Sequence, residues 1–204
     1  MFRPFSKANT NKDRNTFLVM LIAGALALWA AFTLTAEKIN LLQNPDLILS
    51  CSVNIVLNCS TVMSTWQSEI FGFPNMLIGM MAYPVVITLA VAGLAGVLFP
   101  RWFLVTANIG FLLGTIFSYW LFFSSVYVIQ VLCPWCLLVT FATTLIFSSM
   151  LHYNLKNNIF HFKKKTNKRI QAFLAAGYHQ LIVASWLVLM VALVFLKFGA
   201  DLFA

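Results

Sequence analysis

Charged residues are scarce in this sequence. They make up 9% of the 204 residues, and only five of them are acidic, whereas about 25% is usual in soluble globular proteins. Apolar residues make up 61%, compared with roughly 45–50% in an average soluble protein. So few charges cannot cover the surface of a soluble domain. The composition therefore excludes a soluble globular protein, a disordered chain and a small secreted disulfide-rich domain, and it predicts an integral membrane protein.

Five apolar stretches divide the chain. A helix of about 20 apolar residues crosses a bilayer core about 30 Å thick. The stretches span residues 16–36, 75–99, 102–126, 134–153 and 179–197. The first has no charged residue, is too long for the apolar part of a signal peptide and is followed by no convincing cleavage site. The sequence therefore predicts an all-α integral membrane protein with five transmembrane helices.

Basic residues are unevenly distributed between these stretches. Eleven of the 13 lysines and arginines lie at alternate turns, and hence on one side: Arg3, Lys7, Lys12, Arg14, Arg101, Lys156, Lys163, Lys164, Lys165, Lys168 and Arg169. Positively charged segments stay in the cytoplasm, so the N-terminus is predicted to be cytoplasmic and the opposite side to face outward. The net charge of +8 is then a topology signal that favours anionic membrane lipid as a contact. No nucleic-acid partner is expected.

These assignments divide the chain into four regions. Residues 1–15 form a basic cytoplasmic tail, and residues 16–155 form a four-helix bundle whose outer loop covers 37–74. Residues 156–178 form a basic cytoplasmic loop, and residues 179–204 form the fifth transmembrane helix with an outer C-terminus.

The outer loop contains a second helical pattern. Val62, Met63, Trp66 and Ile70 recur at helical spacing, and Ser60 is the expected N-cap. A short amphipathic helix of this kind is predicted to lie flat at the membrane interface, over the mouth of the bundle.

All four cysteines fall on the predicted outer side, where disulfides persist. Cys51 and Cys59 lie in the outer loop, while Cys133 and Cys136 form a C-x-x-C motif at the start of the fourth helix. Two cysteines in this motif are one helical turn apart, and the helix N-terminus stabilises a thiolate there. Two pairs on one membrane face indicate a relay that carries two electrons from soluble thiols to a lipid-soluble acceptor such as a quinone.

Three alternative roles also fit the cysteines. Two structural disulfides would tie the loop to the bundle of a membrane scaffold. A zinc site would need all four cysteines, because His152, His161 and His179 all fall on the inner side. Buried cysteines also serve as small apolar fillers. A transporter is disfavoured because the spans contain almost no ionisable residues.

The order and spacing of these motifs resemble the vitamin K epoxide reductase family. The resemblance covers roughly residues 15–155. The positions that carry it are, in order, Cys51, Cys59, Ser60, Ser64, Thr65, Asn75, Gly79, Tyr83, Cys133 and Cys136.

This resemblance implies a four-helix bundle around a quinone, either menaquinone or ubiquinone, covered by the loop helix. The additional fifth helix resembles that of the prokaryotic members. The resemblance also implies roles for the cysteines. Cys136 would face the quinone and pass electrons to it, and Cys133 would be the partner of Cys136. Cys51 and Cys59 would be the shuttle: one would receive electrons from an external thiol protein, and the other would attack the Cys133–Cys136 disulfide.

The resemblance further implies contacts to the quinone. Asn75 matches the family residue that hydrogen-bonds a quinone carbonyl, although an asparagine after Pro74 also suits an ordinary helix N-cap. Thr65, Tyr83 and Thr140 are the other candidate contacts. Thr65 stands where the family often has serine, and Thr140 stands where the animal enzymes have tyrosine.

The implied function is that of a quinone-dependent thiol oxidoreductase in the bacterial cytoplasmic membrane. It would reoxidise a thioredoxin-fold, DsbA-like protein and so support disulfide formation outside the cytoplasm. Many bacterial members carry a fused thioredoxin-like domain, whereas this sequence ends at Ala204, so a separate partner is expected. One rival is the DsbB family, whose C-x-x-C lies in the first outer loop. Another is the animal reaction, the reduction of a vitamin K epoxide in the endoplasmic reticulum.

Overall fold

The protein is a bundle of long helices. The computed structural model describes residues 11–44, 49, 51–52 and 56–202. Its helices are, in chain order, α1 (Asn11–Gln43), α2 (Cys59–Met63), α3 (Met76–Leu94), α4 (Arg101–Phe123), α5 (Pro134–Lys156), α6 (Lys164–Ala175) and α7 (Tyr178–Leu202). Among these residues, five helices are long and apolar enough to span a membrane: α1, α3, α4, α5 and α7. The predicted all-α membrane fold is confirmed. Arg3 and Lys7, which contributed to the predicted topology, lie outside the described residues.

Helix α1 packs against both α3 and α5. Its buried positions include the small residues Ala23, Ala27 and Ala31, and small residues let membrane helices approach each other closely. On α3 one close approach is at Gly93, where a Cβ atom would lie 2.5 Å from the ring of Phe17. Within a bilayer, close packing of this kind is a main source of attraction between helices.

The bundle has two chemically different ends. At one end, which we call the basic end, the first turn of α1 meets the last turn of α5 through an ion pair between Asp13 and Lys156, whose atoms lie 2.7 Å apart. The Arg101 guanidinium donates a hydrogen bond to the carbonyl oxygen of Ile159 at the same end. The opposite end holds all four cysteines, and we call it the cysteine end. Arg101 and Lys156 therefore lie at the end of the bundle opposite to the cysteines, whereas Lys38 lies at the cysteine end.

Polar side chains connect the other helices. The Asn154 amide on α5 donates a hydrogen bond of 3.2 Å to the Leu104 carbonyl on α4. Helix α7 is attached through Trp186, whose indole N–H donates to the Tyr119 hydroxyl on α4 at 2.7 Å. That hydroxyl in turn lies 2.7 Å from the Thr144 hydroxyl on α5. Hydrogen bonds between membrane helices contribute modestly to stability but fix their orientation.

Helix α1 is longer than the sequence pattern predicts. It continues beyond the apolar stretch 16–36 to Gln43, and it therefore carries Glu37 and Lys38 on its last turns. Both residues are 8% exposed. The Lys38 ammonium donates a hydrogen bond of 2.8 Å to the Met63 carbonyl and pairs with Glu69 at 2.8 Å. These partners explain why the helix does not end where the charges begin.

The helix predicted around residues 60–70 is present only in part. Helix α2 covers five residues and is followed by a short 3₁₀ helix over Trp66–Glu69. The predicted N-cap, Ser60, is wrong: the cap is Asn58, whose Oδ1 accepts a hydrogen bond of 3.2 Å from the Thr61 N–H. The Asn58 N–H bonds to Leu132, so the backbone is extended there and the helix begins at the next residue.

Residues 156–178, predicted as a basic loop, contain helix α6. None of its residues is buried, and its high content of lysine hides the helical pattern from a hydropathy argument. Gln171 connects it to α5, because its amide donates hydrogen bonds to the carbonyls of Leu155 and Lys156 at 3.1 and 2.9 Å. Those carbonyls belong to the last turn of α5, which has no intrahelical donors of its own.

Candidate active site

Two backbone segments meet at the cysteine end and bring the two cysteine pairs together. Residues 56–58 run parallel to the segment before α5, and the pairing is centred on Leu57 and Leu132. The Leu132 N–H donates to the Val56 carbonyl at 2.7 Å, and the Asn58 N–H donates to the Leu132 carbonyl at 3.1 Å. Cys59 and Cys133 directly follow these paired residues, so backbone hydrogen bonds fix their relative position.

The cysteines are in a mixed redox state. Cys51 and Cys59 form a disulfide, whereas Cys133 and Cys136 are free thiols. The Sγ atom of Cys133 lies 3.2 Å from the Sγ atom of Cys59, which is within the range expected for reacting atoms before bond formation. Cys59 and Cys133 are 0% and 1% exposed. The site is therefore arranged for exchange between the two pairs, and Cys59 is the member of the loop pair that contacts the C-x-x-C.

The surroundings of Cys133, which stands directly before α5, lower the pKa of its thiol. Its hydrogen bond with the Cys136 thiol is the largest influence and lowers the pKa of Cys133, and the backbone N–H groups of Trp135 and Cys136 lower it further. Burial and the Glu37 carboxylate oppose this effect. Pro134 occupies the first helical turn, so the free N–H groups of this turn point at the Cys133 sulfur. A thiolate at Cys133 is the nucleophile or the leaving group that disulfide exchange requires.

An apolar cavity lies beside the C-x-x-C. Its volume is about 220 Å³, larger than the roughly 150 Å³ cavity that can hold a benzene molecule. It is lined by residues of α1, α3, α4 and α5 and by the segment 62–68. Cys133 and Cys136 both line it. The cavity therefore offers room for an aromatic ring next to the sulfur atoms.

Asn75 lines this cavity and has an unused acceptor. It stands at the start of α3 but makes no capping hydrogen bond with its side chain. Instead, its Nδ2 donates a hydrogen bond of 2.7 Å to the Gln67 carbonyl, while its Oδ1 is buried without a hydrogen-bond partner. An unpaired buried acceptor costs roughly 1–3 kcal/mol. The side chain does not act as a cap, and Asn75 remains a predicted quinone contact.

Gln67 is a second such residue, and sequence reasoning did not identify it. It lies in the 3₁₀ helix, is 6% exposed and lines the same cavity. Its Oε1 is buried without a hydrogen-bond partner. The only signal in the sequence is its place in the apolar stripe of the loop helix, where a glutamine next to Trp66 is unexpected.

The other candidate quinone contacts reach the cavity with their hydroxyl groups already bonded. Tyr83 is 8% exposed, and its hydroxyl lies 3.0 Å from the Thr143 hydroxyl. The hydroxyls of Thr65 and Thr140 donate to the carbonyls of Val62 and Cys136 at 2.8 and 3.0 Å. All three residues line the cavity. Their oxygen atoms retain acceptor capacity, and they remain predicted contacts.

The geometry defines a class of protein, namely a helical membrane protein in which a disulfide touches a C-x-x-C thiol next to an apolar cavity. Residues 18–151 match the sequence profile of the vitamin K epoxide reductase family, which covers about two thirds of the chain. The protein belongs to that family. It is therefore a redox enzyme and, at the level of the family, a membrane thiol–disulfide and quinone oxidoreductase. No curated protein matches the chain.

Proposed function

We propose that the protein oxidises a separate thioredoxin-fold, DsbA-like protein and passes two electrons to ubiquinone or menaquinone. It thereby supports disulfide formation outside the cytoplasm. The observation that carries this proposal is the 3.2 Å approach of Cys59 to Cys133, with Cys136 lining an apolar cavity. A purely structural pair of disulfides has no need for a disulfide in contact with a free thiol.

The first half of the cycle begins with the fully oxidised enzyme. A thiolate of the partner attacks Cys51, a partner–Cys51 disulfide forms, and Cys59 leaves as a thiolate. Cys59 then attacks Cys133 in the Cys133–Cys136 disulfide, so a Cys59–Cys133 bond forms and Cys136 is released. Cys59 is assigned this attack because its sulfur, rather than that of Cys51, contacts Cys133.

The second half restores the loop disulfide. The second thiol of the partner attacks the partner's own sulfur, which releases Cys51 and leaves the partner oxidised. Cys51 next attacks Cys59 in the Cys59–Cys133 bond, and Cys133 departs with the electron pair. The enzyme then has a closed Cys51–Cys59 disulfide and two free thiols, which is the redox state of the structure.

The cavity has the properties that a quinone head group requires. A bound quinone supplies a two-electron, two-proton acceptor that returns Cys133 and Cys136 to a disulfide. The second N–H of the Asn75 amide is available to a carbonyl oxygen, since the first is used by Gln67. The unpaired oxygens of Asn75 and Gln67 suit the hydroxyl groups of the quinol product. The apolar lining keeps water away from the sulfur atoms.

We propose a location in the bacterial cytoplasmic membrane, and the charge distribution supports an orientation with the N-terminus in the cytoplasm and the cysteine end outside. The basic end carries Arg101 and Lys156 together with the lysines of α6, and positive residues favour the cytoplasmic side. A membrane-impermeant thiol reagent applied to intact cells after reduction tests this orientation. Labelling of the cysteines only after the cells are broken would contradict it.

The decisive experiment is quinone reduction by the purified protein in detergent. Wild type, Cys136→Ala and Cys51→Ala are each given ubiquinone or menaquinone with reduced thioredoxin or a small dithiol as the donor. We expect Cys136→Ala to lose all quinol formation with either donor. Cys51→Ala should lose activity with thioredoxin but retain activity with a small dithiol, which can reduce the disulfide at Cys133 without using Cys51. Quinol formation near the wild-type rate in Cys136→Ala would refute the assignment, and an inert wild type with unreactive disulfides would favour a scaffold.

A further inference from the structure

A buried carboxylate contacts the loop disulfide. The Oε2 atom of Glu37 lies 3.0 Å from the Sγ atom of Cys51, and both residues are less than one tenth exposed. Glu37 is held on the last turns of α1, and Cys51 packs in an apolar cluster with Leu34 and Met63. The acceptor oxygen therefore faces one sulfur of the relay in a poorly hydrated place.

The other charged groups nearby have their own partners. Lys38 bonds to the Met63 carbonyl and to Glu69, and Glu69 has a half-exposed side chain. The cysteines are the other titratable groups whose contact with Glu37 is seen. A carboxylate oxygen of Glu37 and the sulfur atoms of Cys51 and Cys59 all lie within 4.8 Å of one another. The charge of Glu37 also raises the pKa of Cys133.

Cys51 must change its protonation state in every cycle. A cysteine thiol ordinarily ionises near pH 8.5, so most of a newly released cysteine is a thiol at neutral pH. Only the thiolate attacks a disulfide. The step in which Cys51 attacks Cys59 therefore needs a group that removes the proton, and the Glu37 carboxylate is in contact with the Cys51 sulfur.

We propose that Glu37 is the proton acceptor and donor for Cys51, an inference that rests on the proposed function. When Cys51 attacks Cys59 in the Cys59–Cys133 disulfide, the Cys51–Cys59 bond forms and the Cys59–Cys133 bond breaks. The Cys51 proton moves to Oε2 of Glu37, and the electron pair leaves on Cys133. In the next cycle, when the partner's second thiol releases Cys51 as a thiolate, Glu37 returns the proton, so the carboxyl group is unchanged overall.

This role predicts a specific pH dependence. In the wild type the carboxylate accepts the proton without help from solvent, and closure of the loop disulfide stays nearly independent of pH around neutrality. In Glu37→Gln the amide cannot accept a proton. Closure then depends on ionisation of the thiol to solvent and should accelerate as the pH rises.

The test follows the disulfides themselves. Fully oxidised full-length protein in detergent is mixed with reduced thioredoxin, quenched with acid, alkylated and analysed by mass spectrometry for the Cys59–Cys133 and Cys51–Cys59 bonds. At about pH 7, Glu37→Gln should accumulate the Cys59–Cys133 bond and close the loop disulfide about a hundredfold more slowly than wild type, at the lower end of general acid–base effects. The deficit should shrink towards about pH 9, above the ordinary thiol pKa.

Two further variants make the result specific. Glu37→Asp keeps a carboxylate and should retain the flat pH profile even if closure is slower. Glu69→Gln removes an acid whose side chain is about half exposed and does not contact Cys51. It should close the loop disulfide at the wild-type rate, because the Lys38 ammonium keeps its hydrogen bond to the Met63 carbonyl.

The possible failures are distinguishable. The acid–base role is overturned if Glu37→Gln closes the Cys51–Cys59 disulfide at the wild-type rate. It is also overturned if Glu37→Gln closes this disulfide more slowly than wild type by the same factor at every pH. If wild type never forms the Cys59–Cys133 bond and reduces no quinone, the proposed function fails instead.

Discussion

The sulfur atoms of Cys59 and Cys133 lie 3.2 Å apart, although 74 residues separate them in the sequence. The contact is set by the backbone pairing of Leu57 with Leu132. It distinguishes the two loop cysteines, because the sulfur of Cys51 faces Glu37 instead. The sequence alone leaves open which loop cysteine attacks the C-x-x-C, and this contact is the reason why the proposed cycle gives the attack to Cys59.

The first prediction concerns trapping of the exchange intermediate. In Cys51→Ala, Cys59 has lost its disulfide partner and remains beside Cys133. Oxidation should therefore produce the Cys59–Cys133 disulfide in most of the protein, with Cys136 left as a free thiol. Protease digestion followed by mass spectrometry under non-reducing conditions measures the yield.

The matched control is Cys59→Ala. Its remaining loop cysteine, Cys51, faces Glu37 and should pair poorly with Cys133. A Cys51–Cys133 disulfide in Cys59→Ala at a yield equal to that of Cys59–Cys133 in Cys51→Ala would show that the loop is too mobile to distinguish the two cysteines.

The architecture could be predicted because its signals are local. Long apolar stretches and the uneven distribution of lysines and arginines define the membrane helices, and the spacing of the cysteines indicates redox chemistry. The site geometry depends on contacts between distant segments, which no local pattern encodes. Glu37 is the clearest example: in the sequence it is a charge after an apolar stretch, and only the folded α1 brings it to Cys51. Asn58 likewise replaces Ser60 as the cap because of its bond to Leu132.

The second prediction concerns ionisation of Cys133. Since the hydrogen bond with Cys136 is the largest influence that lowers its pKa, Cys133 should form a thiolate at a lower pH than the ordinary midpoint of about 8.5. Because its pKa is lowered, Cys133 should still be largely a thiolate at pH values where an ordinary thiol, with a midpoint of about 8.5, is already protonated. In reduced Cys51→Ala/Cys59→Ala protein, ultraviolet absorbance of the thiolate measures the midpoint, and adding Cys136→Ala should raise it. An unchanged midpoint would exclude Cys136 as the stabilising group.

The third prediction concerns Lys38, which connects α1 to the end of α2. Its buried ammonium donates to the Met63 carbonyl, and a hydrogen bond of a charged group contributes about 1.5–3 kcal/mol. Lys38→Met should therefore lower the thermal midpoint and slow formation of the Cys59–Cys133 bond, since α2 begins at Cys59. Lys197→Met is the control, because that lysine is exposed on α7 and should change neither quantity. Equal behaviour of the two variants would mean that Lys38 does not position α2.

The fourth prediction separates stability from ligand binding at Gln67. Gln67→Leu replaces a buried, unpaired acceptor with an apolar group of similar size. The penalty of roughly 1–3 kcal/mol for an unsatisfied group then disappears, so the thermal midpoint of the ligand-free protein should stay the same or rise. If the oxygen serves a quinone or quinol, the KM for quinone should rise about tenfold, equivalent to about 1.4 kcal/mol.

Gln171→Leu provides the opposite pattern as a control for this prediction. That glutamine makes its hydrogen bonds with α5 at the basic end, far from the cysteines, so its loss should lower the thermal midpoint and leave the KM for quinone unchanged. If Gln67 serves ligand binding at a cost in stability, Gln67→Leu should both raise the thermal midpoint and weaken quinone binding. If Gln67→Leu is less stable than wild type and binds quinone normally, then Gln67 stabilises the loop and does not contact the ligand.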